Sequence, residues 1–472
     1  MDKVLNVQFS SGAYSDSDDF KLTDSQNSGT VRSMFWRIDT PGFLEFSAKL
    51  SSDEMQTSFV RFCLNASIMH RYDDELCHNH ITVDVNGYKI VSEGTAYMID
   101  GESFRDFLFM LPGGVLKSGV NTIRFSYESY DGTGLFVKKA WLEIFSALDN
   151  SKWMLAINNF TLLSGISMPG THDSAAFRKW YKSPYTCHDT SITEQLQGGI
   201  RVLDIRLKTK RSQVVTCHGD VGPNEFQPFN DVLDECHRFL TTNPSEAIVM
   251  ILKVDDWADY RNDPSGGKKL IKNGLENFRS ILYRGKSMPT MNEVRGKIVL
   301  LNRIDDSLDF GAPVSIPHNV AGTYLADSVN RQYRVYVQDK CELYSQDYTR
   351  SAAKTYKFNC FMDALRKRGN EGQWGEVYLN FASACFFKRF TVGRKQVDIP
   401  MFGIYIMDSF LNEIGKGSNL PRALGWLMFD YPFEKYYTTE CGYVNVVDIV
   451  IGANTFSKGY GKRFRITDDR EL

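Results

Sequence analysis

The sequence predicts two folds in series, an all-β sandwich over residues 1–148 and an α/β unit over residues 149–472. Three observations predict it. A chain of 472 residues exceeds what one hydrophobic core organises, so two or three domains are expected. Short alternating strands fill the first third, and from Trp153 onward strand-like runs alternate with helical patterns. A hydrophobic content of 42% with 13% aromatics suits packed interiors and excludes a disordered chain.

In the first domain the candidate strands are FLEFSAKL, TSFVRFCLN, ITVDVNGYKIV, FRDFLFML, NTIRFSYES and AWLEIF. Asn86-Gly87, inside the third, reads as a two-residue hairpin turn. Pro112-Gly113-Gly114 and Asp131-Gly132 punctuate the others. Evenly spaced short strands with such breaks predict a sandwich of jelly-roll type. His78 and His80 in LCHNHITV alternate toward one face, but the sequence places no third metal ligand beside them, so they read as a polar surface.

The second domain opens on LLSGISM, a strand-like run that Pro169-Gly170 is expected to stop. His172, Asp173 and Ser174 then sit on a loop at a strand end, where α/β proteins keep their chemistry. HDT at 188–190 reads as a loop ahead of a helix, with Thr190 or Ser191 as N-cap and Glu194 completing a capping box. RVLDIRL, AIVMILKV, KIVLLNR, YRVYVQDK, VYLNFAS and GWLMFDY are strands, FNDVLDECHRFLTTNP is a helix, and NDPSGGKK (262–269) is a surface loop. This alternation builds a parallel sheet or barrel. About 320 residues is long for a (β/α) barrel of ~250, so insertions are expected.

Charge and cysteine usage narrow the function classes. Lys and Arg number 55 against 57 Asp and Glu, a net charge of -2, which argues against a nucleic-acid binder but not against a membrane-surface enzyme. Nine cysteines with no CxxC spacing predict buried thiols rather than disulfides, hence synthesis in a reducing compartment. MDKVLNVQFSSG lacks the apolar core and cleavage site of a signal peptide, and no segment approaches the ~20 apolar residues of a membrane span. The expectation is a soluble chain, cytoplasmic or exported by a non-classical route, and peripheral at membranes.

The candidate strand ends carry His172 and Asp173, then Asp204 and Arg206, then His218 after QVVTC, then Lys253, Arg303, Asp339 and Asp430. Each has an ordinary structural use as a cap, turn or ion pair. Together, at the ends from which barrel side chains converge, they form a chemical set. Two imidazoles offer a base and an acid near working pH, carboxylates fix their tautomers, and a guanidinium binds phosphoryl oxygens. That set suits cleavage of a phosphodiester by an internal hydroxyl.

SMPGTHDS, EQLQGGIRVLDIRL, VVTCHGDVG and FLTTNPSEAIVMILKV, in this order, resemble the X domain of phosphatidylinositol-specific phospholipase C. The likeness covers about residues 153–460, continuing through RGKIVLLNR, YVQDKC, YLNFAS, GWLMFDYPFEKY and VVDIVIGANT. It implies a distorted TIM-type barrel that cleaves phosphatidylinositol to diacylglycerol and inositol 1,2-cyclic phosphate. It further implies His172 as general base, His218 as general acid, Asp430 orienting His172, Asp173 serving His218, and Arg206 on the phosphate. Lys253, Arg303 and Asp339 fall where bacterial relatives bind inositol hydroxyls. One departure is Cys341, which stands where those relatives place a tyrosine two residues after that Asp.

Where calcium-dependent eukaryotic relatives carry Asn, Glu, Asp and Glu, this chain has Asp173, Asp204, Arg206 and Lys253. Two cations in those positions repel a hard metal and leave it short of oxygens, so no calcium or other cofactor is expected. The expected partner is phosphatidylinositol at a membrane surface, with no nucleic acid. Phe177, Trp180, Tyr181 and Tyr185, just past the His172 loop, either meet the lipid interface or pack the first helix. The first domain is expected to bind a glycan, a protein, a membrane or its own catalytic neighbour. Alternative substrates are another phospholipid or a glycosylphosphatidylinositol anchor. Outside enzymes, the alternative is a non-catalytic phosphoinositide- or glycan-binding protein.

Overall fold

The structure, a computed structural model, describes residues 3–10, 13–15, 19–31, 35–52, 59–68, 79–91, 105–111, 116–129, 134–145, 149–157, 161–179, 185–219, 224–285, 287–304, 306–320, 324–327, 334–345, 347–371, 375–389, 394–398, 400–415, 424–434, 437–439 and 442–454. The chain divides into two compact units, one chiefly Met1–Asp149 and the other chiefly Leu162–Asn454 with Asn150–Leu155.

The first unit is antiparallel. Its ladder runs Ala13–Ser15, Lys3–Ser10, Leu135–Phe145, Phe35–Leu50, Gly119–Ser129, Asn79–Val85 and Tyr88–Val91. Phe20–Val31 pairs with Phe35–Leu50, while Phe59–Ile68 joins Leu135–Phe145 to Arg105–Leu111. Alternation puts Leu44, Phe46, Ala48 and Leu50 of one strand, and Ile123, Phe125 and Tyr127 of its neighbour, on the buried side. The Phe46 ring lies 5.2 Å from Phe20 and 5.4 Å from Phe62. Asn86 and Gly87 both take positive φ (52° and 84°), the two-residue turn expected, with Val85 paired to Tyr88. His78 lies outside the described residues, and His80 stands opposite Glu128 in the ladder.

The second unit is a curled, mostly parallel sheet that fits a distorted TIM barrel. Its order is Ala312–Pro313, Lys297–Asn302, Ala247–Asp256, Val202–Thr209, Met168–Thr171, Trp426–Phe429, Glu376–Phe381, Arg334–Gln338 and Tyr324–Asp327. Only the last of these pairs antiparallel to its neighbour along that path. Strands such as Ala247–Asp256 and Glu376–Phe381 are buried along nearly their whole length, as a sheet covered on both faces requires. Among the described residues no helix is long and apolar enough to cross a membrane.

Two local expectations are corrected. Pro169 and Gly170 do not stop a strand; the strand is Met168–Thr171 itself, and the preceding Leu163–Gly165 is a 3₁₀ turn. Gly170 is there because a Cβ would meet Met428 Sδ at 2.5 Å and Val202 Cβ at 2.8 Å, so only a bare backbone lets three strands converge. The NDPSGGKK segment is not a loop throughout: helix Pro264–Asn277 begins inside it. Asp263 caps that helix through the Ser265 amide, and Pro264 occupies the first turn, where its missing N–H costs nothing.

The starts of the parallel strands are held by one buried ion pair. Arg201 and Glu246 have fully buried side chains, joined through Nε (3.0 Å) and Nη2 (2.7 Å) to one carboxylate oxygen. The guanidinium also donates to the Leu196, Ile200, Asn150 and Ser151 carbonyls, and Ser245 Oγ donates to the other Glu246 oxygen. Glu246→Gln keeps the shape but leaves that cation without its counter-charge. The expected loss is about 3–5 kcal/mol of unfolding free energy, read by chemical denaturation of the second unit's transition. A loss below about 1 kcal/mol, the scale of a surface pair, would contradict this account.

Candidate active site

The strand Met168–Thr171 runs directly into the site. Its continuation is fixed by His172 N donating to the Phe429 carbonyl (3.1 Å), which ties the loop to strand Trp426–Phe429. Asp173 adopts φ 45°, a left-handed conformation that Asp tolerates better than most residues. Ser174 is the lock of this turn. Its hydroxyl donates to the Thr171 carbonyl (2.8 Å) and accepts from the Asp204 amide (2.8 Å). Helix Ile192–Gln197, capped by Ser191 with Glu194 in a complete capping box, supplies Gln195, which donates to the Ser174 and Thr190 carbonyls. The Thr190-or-Ser191 alternative thus resolves to Ser191.

His172 Nδ1 lies 3.0 Å from Asp430 Oδ1. A carboxylate accepts, so Nδ1 carries the proton and Nε2 keeps its lone pair. These two residues are 258 positions apart in the chain and meet because their strands are neighbours in the sheet. Helix Pro400–Gly415 passes against Asp430 at Gly403, where a Cβ would meet Oδ2 at 2.8 Å.

His218 arrives by a different route from the one the strand-end reading assumed. Val202–Thr209 overshoots, and Val214–Cys217 returns antiparallel to it with Leu207 opposite Thr216. That hairpin brings His218 back toward the level of Arg206. Its Nδ1 donates to the Tyr185 carbonyl at 3.0 Å, which again leaves Nε2 as the titrating nitrogen. The nearest Asp173 oxygen is 3.8 Å away, beyond hydrogen-bond reach, so the carbonyl and not Asp173 orients this ring. The two imidazoles lie 6.0 Å apart with planes at 86°.

Arg206 sits among three carboxylates. It contacts Asp204 Oδ2 through Nε (3.3 Å) and Nη2 (3.2 Å), Asp255 at 3.6 Å and Asp173 at 3.8 Å. Lys253 is its register partner on the adjacent strand and pairs with Asp255 at 2.5 Å. Arg303, following Lys297–Asn302, donates to the Ile316 carbonyl (3.3 Å). Asp339, following Arg334–Gln338, is buried and acts electrostatically on both Arg206 and Arg303. The site residues named from the sequence therefore converge on one end of the sheet.

Burial and charge set the protonation pattern. Burial opposes the Arg206 charge, but Asp204, Asp255 and Asp173 outweigh it and hold its pKa well above the ordinary range. Burial also resists ionisation of Asp204 and Asp255, yet Arg206 pulls both below the usual carboxylate value. Asp173 goes the other way. Burial, reinforced by Asp204 and Asp255, pushes it well above 3.8 despite Arg206, and neither of its oxygens accepts a hydrogen bond. His218 is pushed down to about 4 by burial, then by the charge of Arg206 and by His172.

Four contributors were missed. Asp255 was legible, since two residues beyond Lys253 on one strand means the same face. Cys187 lies between the imidazoles, Sγ 3.7 Å from His172 Nδ1 and 3.8 Å from His218 Nδ1, a buried thiol whose pKa burial pushes well up. His188, read as part of a cap, is buried and donates from Nε2 to the His172 carbonyl at 2.8 Å. Gly403 carries no sequence signal of its role. Of the aromatic cluster, Phe177 and Tyr185 are half-buried, and Trp180 and Tyr181 lie outside the described residues. All seven cysteines among the described residues are free thiols. Cys341 is half-buried beside Asn319, its thiol pushed up to about 12 chiefly by burial.

A curled parallel sheet with two imidazoles, buried carboxylates and a guanidinium gathered at one end is a barrel-type arrangement suited to phosphoryl chemistry. The family model PI-PLC X (PI-PLC X 1) matches residues 161–285. The 1-phosphatidylinositol phosphodiesterase of Staphylococcus aureus (strain NCTC 8325 / PS 47) is 27% identical over 350 residues, covering 68% of this chain and 96% of that protein. That of Listeria monocytogenes is 31% identical over 212 residues, 41% of this chain and 64% of the relative. A solved phosphatidylinositol-specific phospholipase C from S. aureus aligns over 65% of this chain and 98% of its own, with TM-score 0.53 and 24% identity, a likeness of fold. Residues 161–285 thus match a PI-PLC X domain, and the chain around them is similar to bacterial PI-PLC proteins.

Proposed function

We propose that the protein is a phosphatidylinositol-specific phospholipase C that releases diacylglycerol and inositol 1,2-cyclic phosphate without a metal. The observation that carries this reading is the pair of imidazoles 6.0 Å apart, each with Nδ1 committed to an acceptor and Nε2 left over. His172 Nε2 takes the proton of the inositol 2-hydroxyl as its oxygen attacks phosphorus. The bond from phosphorus to the glycerol oxygen breaks, and His218 gives that oxygen a proton from Nε2. Asp430 favours the imidazolium formed on His172.

At rest, burial and then the Arg206 charge push the His218 imidazole down to about 4, toward its neutral form. A phosphodiester monoanion bound beside Arg206 offsets that cation and favours His218 in its protonated form. Lys253, Arg303 and Asp339 surround the place for the inositol hydroxyls. Cys341 in place of an aromatic removes one stacking surface from it. The guanidinium supplies fixed positive charge for the phosphoryl oxygens, the service a metal gives in other sites. We read residues 1–148 as an accessory β-sandwich; support comes from Phe46 and Phe62, whose rings meet although their strands are not paired.

The test is hydrolysis of phosphatidylinositol vesicles in EDTA, followed by phosphorus NMR. The expected result is the cyclic phosphate as first product at an undiminished rate. Loss of turnover in EDTA with recovery in Ca²⁺ would overturn metal independence, and a product without a cyclic phosphate would overturn the internal-hydroxyl mechanism.

A further inference from the structure

We propose that His172, Cys187 and Asp430 also form a site for one borderline-soft divalent cation, Zn²⁺ foremost, and that filling it switches the enzyme off. The three ligand atoms come from separate parts of the chain and lie within 4.8 Å of one another. Zinc bonds of ~2.3 Å to sulfur and ~2.0 Å to nitrogen, at tetrahedral angles, put the two ligands ~3.5 Å apart. Cys187 Sγ and His172 Nδ1 are 3.7 Å apart. Nδ1 and Asp430 Oδ1, at 3.0 Å, need to part by only a few tenths of an ångström. A hydrogen already lies between Nδ1 and Oδ1, so a metal ion there takes the place of that hydrogen bond.

A second triad shares the same sulfur, namely Asp173, Cys187 and His218. It is the poorer seat. Arg206 lies 3.8 Å from the Asp173 carboxylate and repels a second cation, and His218 Nδ1 is engaged with the Tyr185 carbonyl. The donor set also sorts cations by type. One sulfur, one nitrogen and one carboxylate oxygen suit Zn²⁺, Co²⁺ or Cu²⁺, whereas Ca²⁺ requires six to eight oxygens and Mg²⁺ a hydrated octahedron. Indifference to chelators and sensitivity to zinc are thus compatible in one pocket.

The proton balance explains the inhibition. The ion takes the Nδ1 lone pair, the imidazole stays neutral with its proton on Nε2, and the thiol loses its proton to solvent. One proton leaves per ion bound. Nε2 becomes an N–H and has no lone pair with which to accept the inositol hydroxyl proton. This inhibitory half rests on the reading of His172 as base; the ligand set does not.

Cobalt(II) separates the two. Titrated into the full chain, it is expected to give one equivalent of binding with a sulfur-to-cobalt charge-transfer band in the near ultraviolet. Cys187→Ser and Cys187→Ala should lose that band. In vesicle assays, Zn²⁺ should inhibit the parent reversibly to EDTA, and the concentration for half-inhibition, measured against each variant's own rate, should rise at least tenfold in both. No band in the parent, or a band unchanged in both variants, overturns the site. Cys187-dependent binding at full turnover overturns the inhibitory role and, with it, His172 as base.

Discussion

Alanine at His172 or at His218 is expected to lower turnover of phosphatidylinositol by about 10²–10⁴-fold, the usual worth of one proton-transfer group. The two losses differ in kind. Diacylglycerol leaves as an alkoxide unless His218 gives it a proton, whereas an aryl leaving group such as nitrophenolate departs unaided. On an aryl inositol phosphate, His218→Ala should therefore recover most of its deficit relative to the parent, and His172→Ala should recover none. The tautomers suit either role, because both rings hold Nδ1 in a hydrogen bond, to Asp430 and to the Tyr185 carbonyl, and leave Nε2 for proton transfer, so the two substrates are what separate acid from base. Equal deficits of both variants on both substrates would remove the assignment of acid and base, and parental rates in either would remove that residue from the reaction.

Why His218 was legible and its partner was not follows from how each signal is written in a sequence. A His after VVTC, or a His-Asp after a strand, is a local pattern, and the family likeness fixed the order of these blocks. The Tyr185 carbonyl leaves no such mark, since any residue supplies one. The hairpin that returns His218 toward Arg206 depends on register, and Val214–Cys217 reads alike as a barrel strand or as a hairpin arm. Gly403 is similar: its reason is the Asp430 carboxylate against helix Pro400–Gly415, a contact between distant segments. Pro169-Gly170 misled for the opposite reason. Both residues usually punctuate, but close packing of Met428 and Val202 makes glycine the residue the strand needs. The βα alternation was plain because strands buried on both faces are continuous apolar runs, and helix Pro264–Asn277 was half-hidden because it opens on Pro-Ser-Gly-Gly.

Substitution at Arg206 tests whether a protein cation takes the place of a metal as the partner of the phosphate. Arg206→Lys is expected to lower kcat/KM by about 10²–10³-fold, the worth of a preorganised donor in such a site. Lysine keeps one positive charge, but a single ammonium cannot hold Asp204 through two nitrogens, stay near Asp255 and Asp173, and still aim a donor at a phosphoryl oxygen. Lys253 cannot compensate, since its ammonium is already paired with Asp255. A second readout separates this from mere loss of fold. His218 is held down to about 4 by burial first and by the Arg206 charge next, so Arg206→Gln should move its titration upward toward 6.5, while Arg206→Lys leaves it low. Histidine NMR in the absence of substrate reads this directly. A His218 titration unmoved by Arg206→Gln would mean that the guanidinium does not face the imidazole. An Arg206→Lys enzyme within about threefold of the parent would mean that charge alone suffices and the fork geometry does not matter. If both variants behave as expected, the three carboxylates around Arg206 serve to aim a fixed cation at the phosphate.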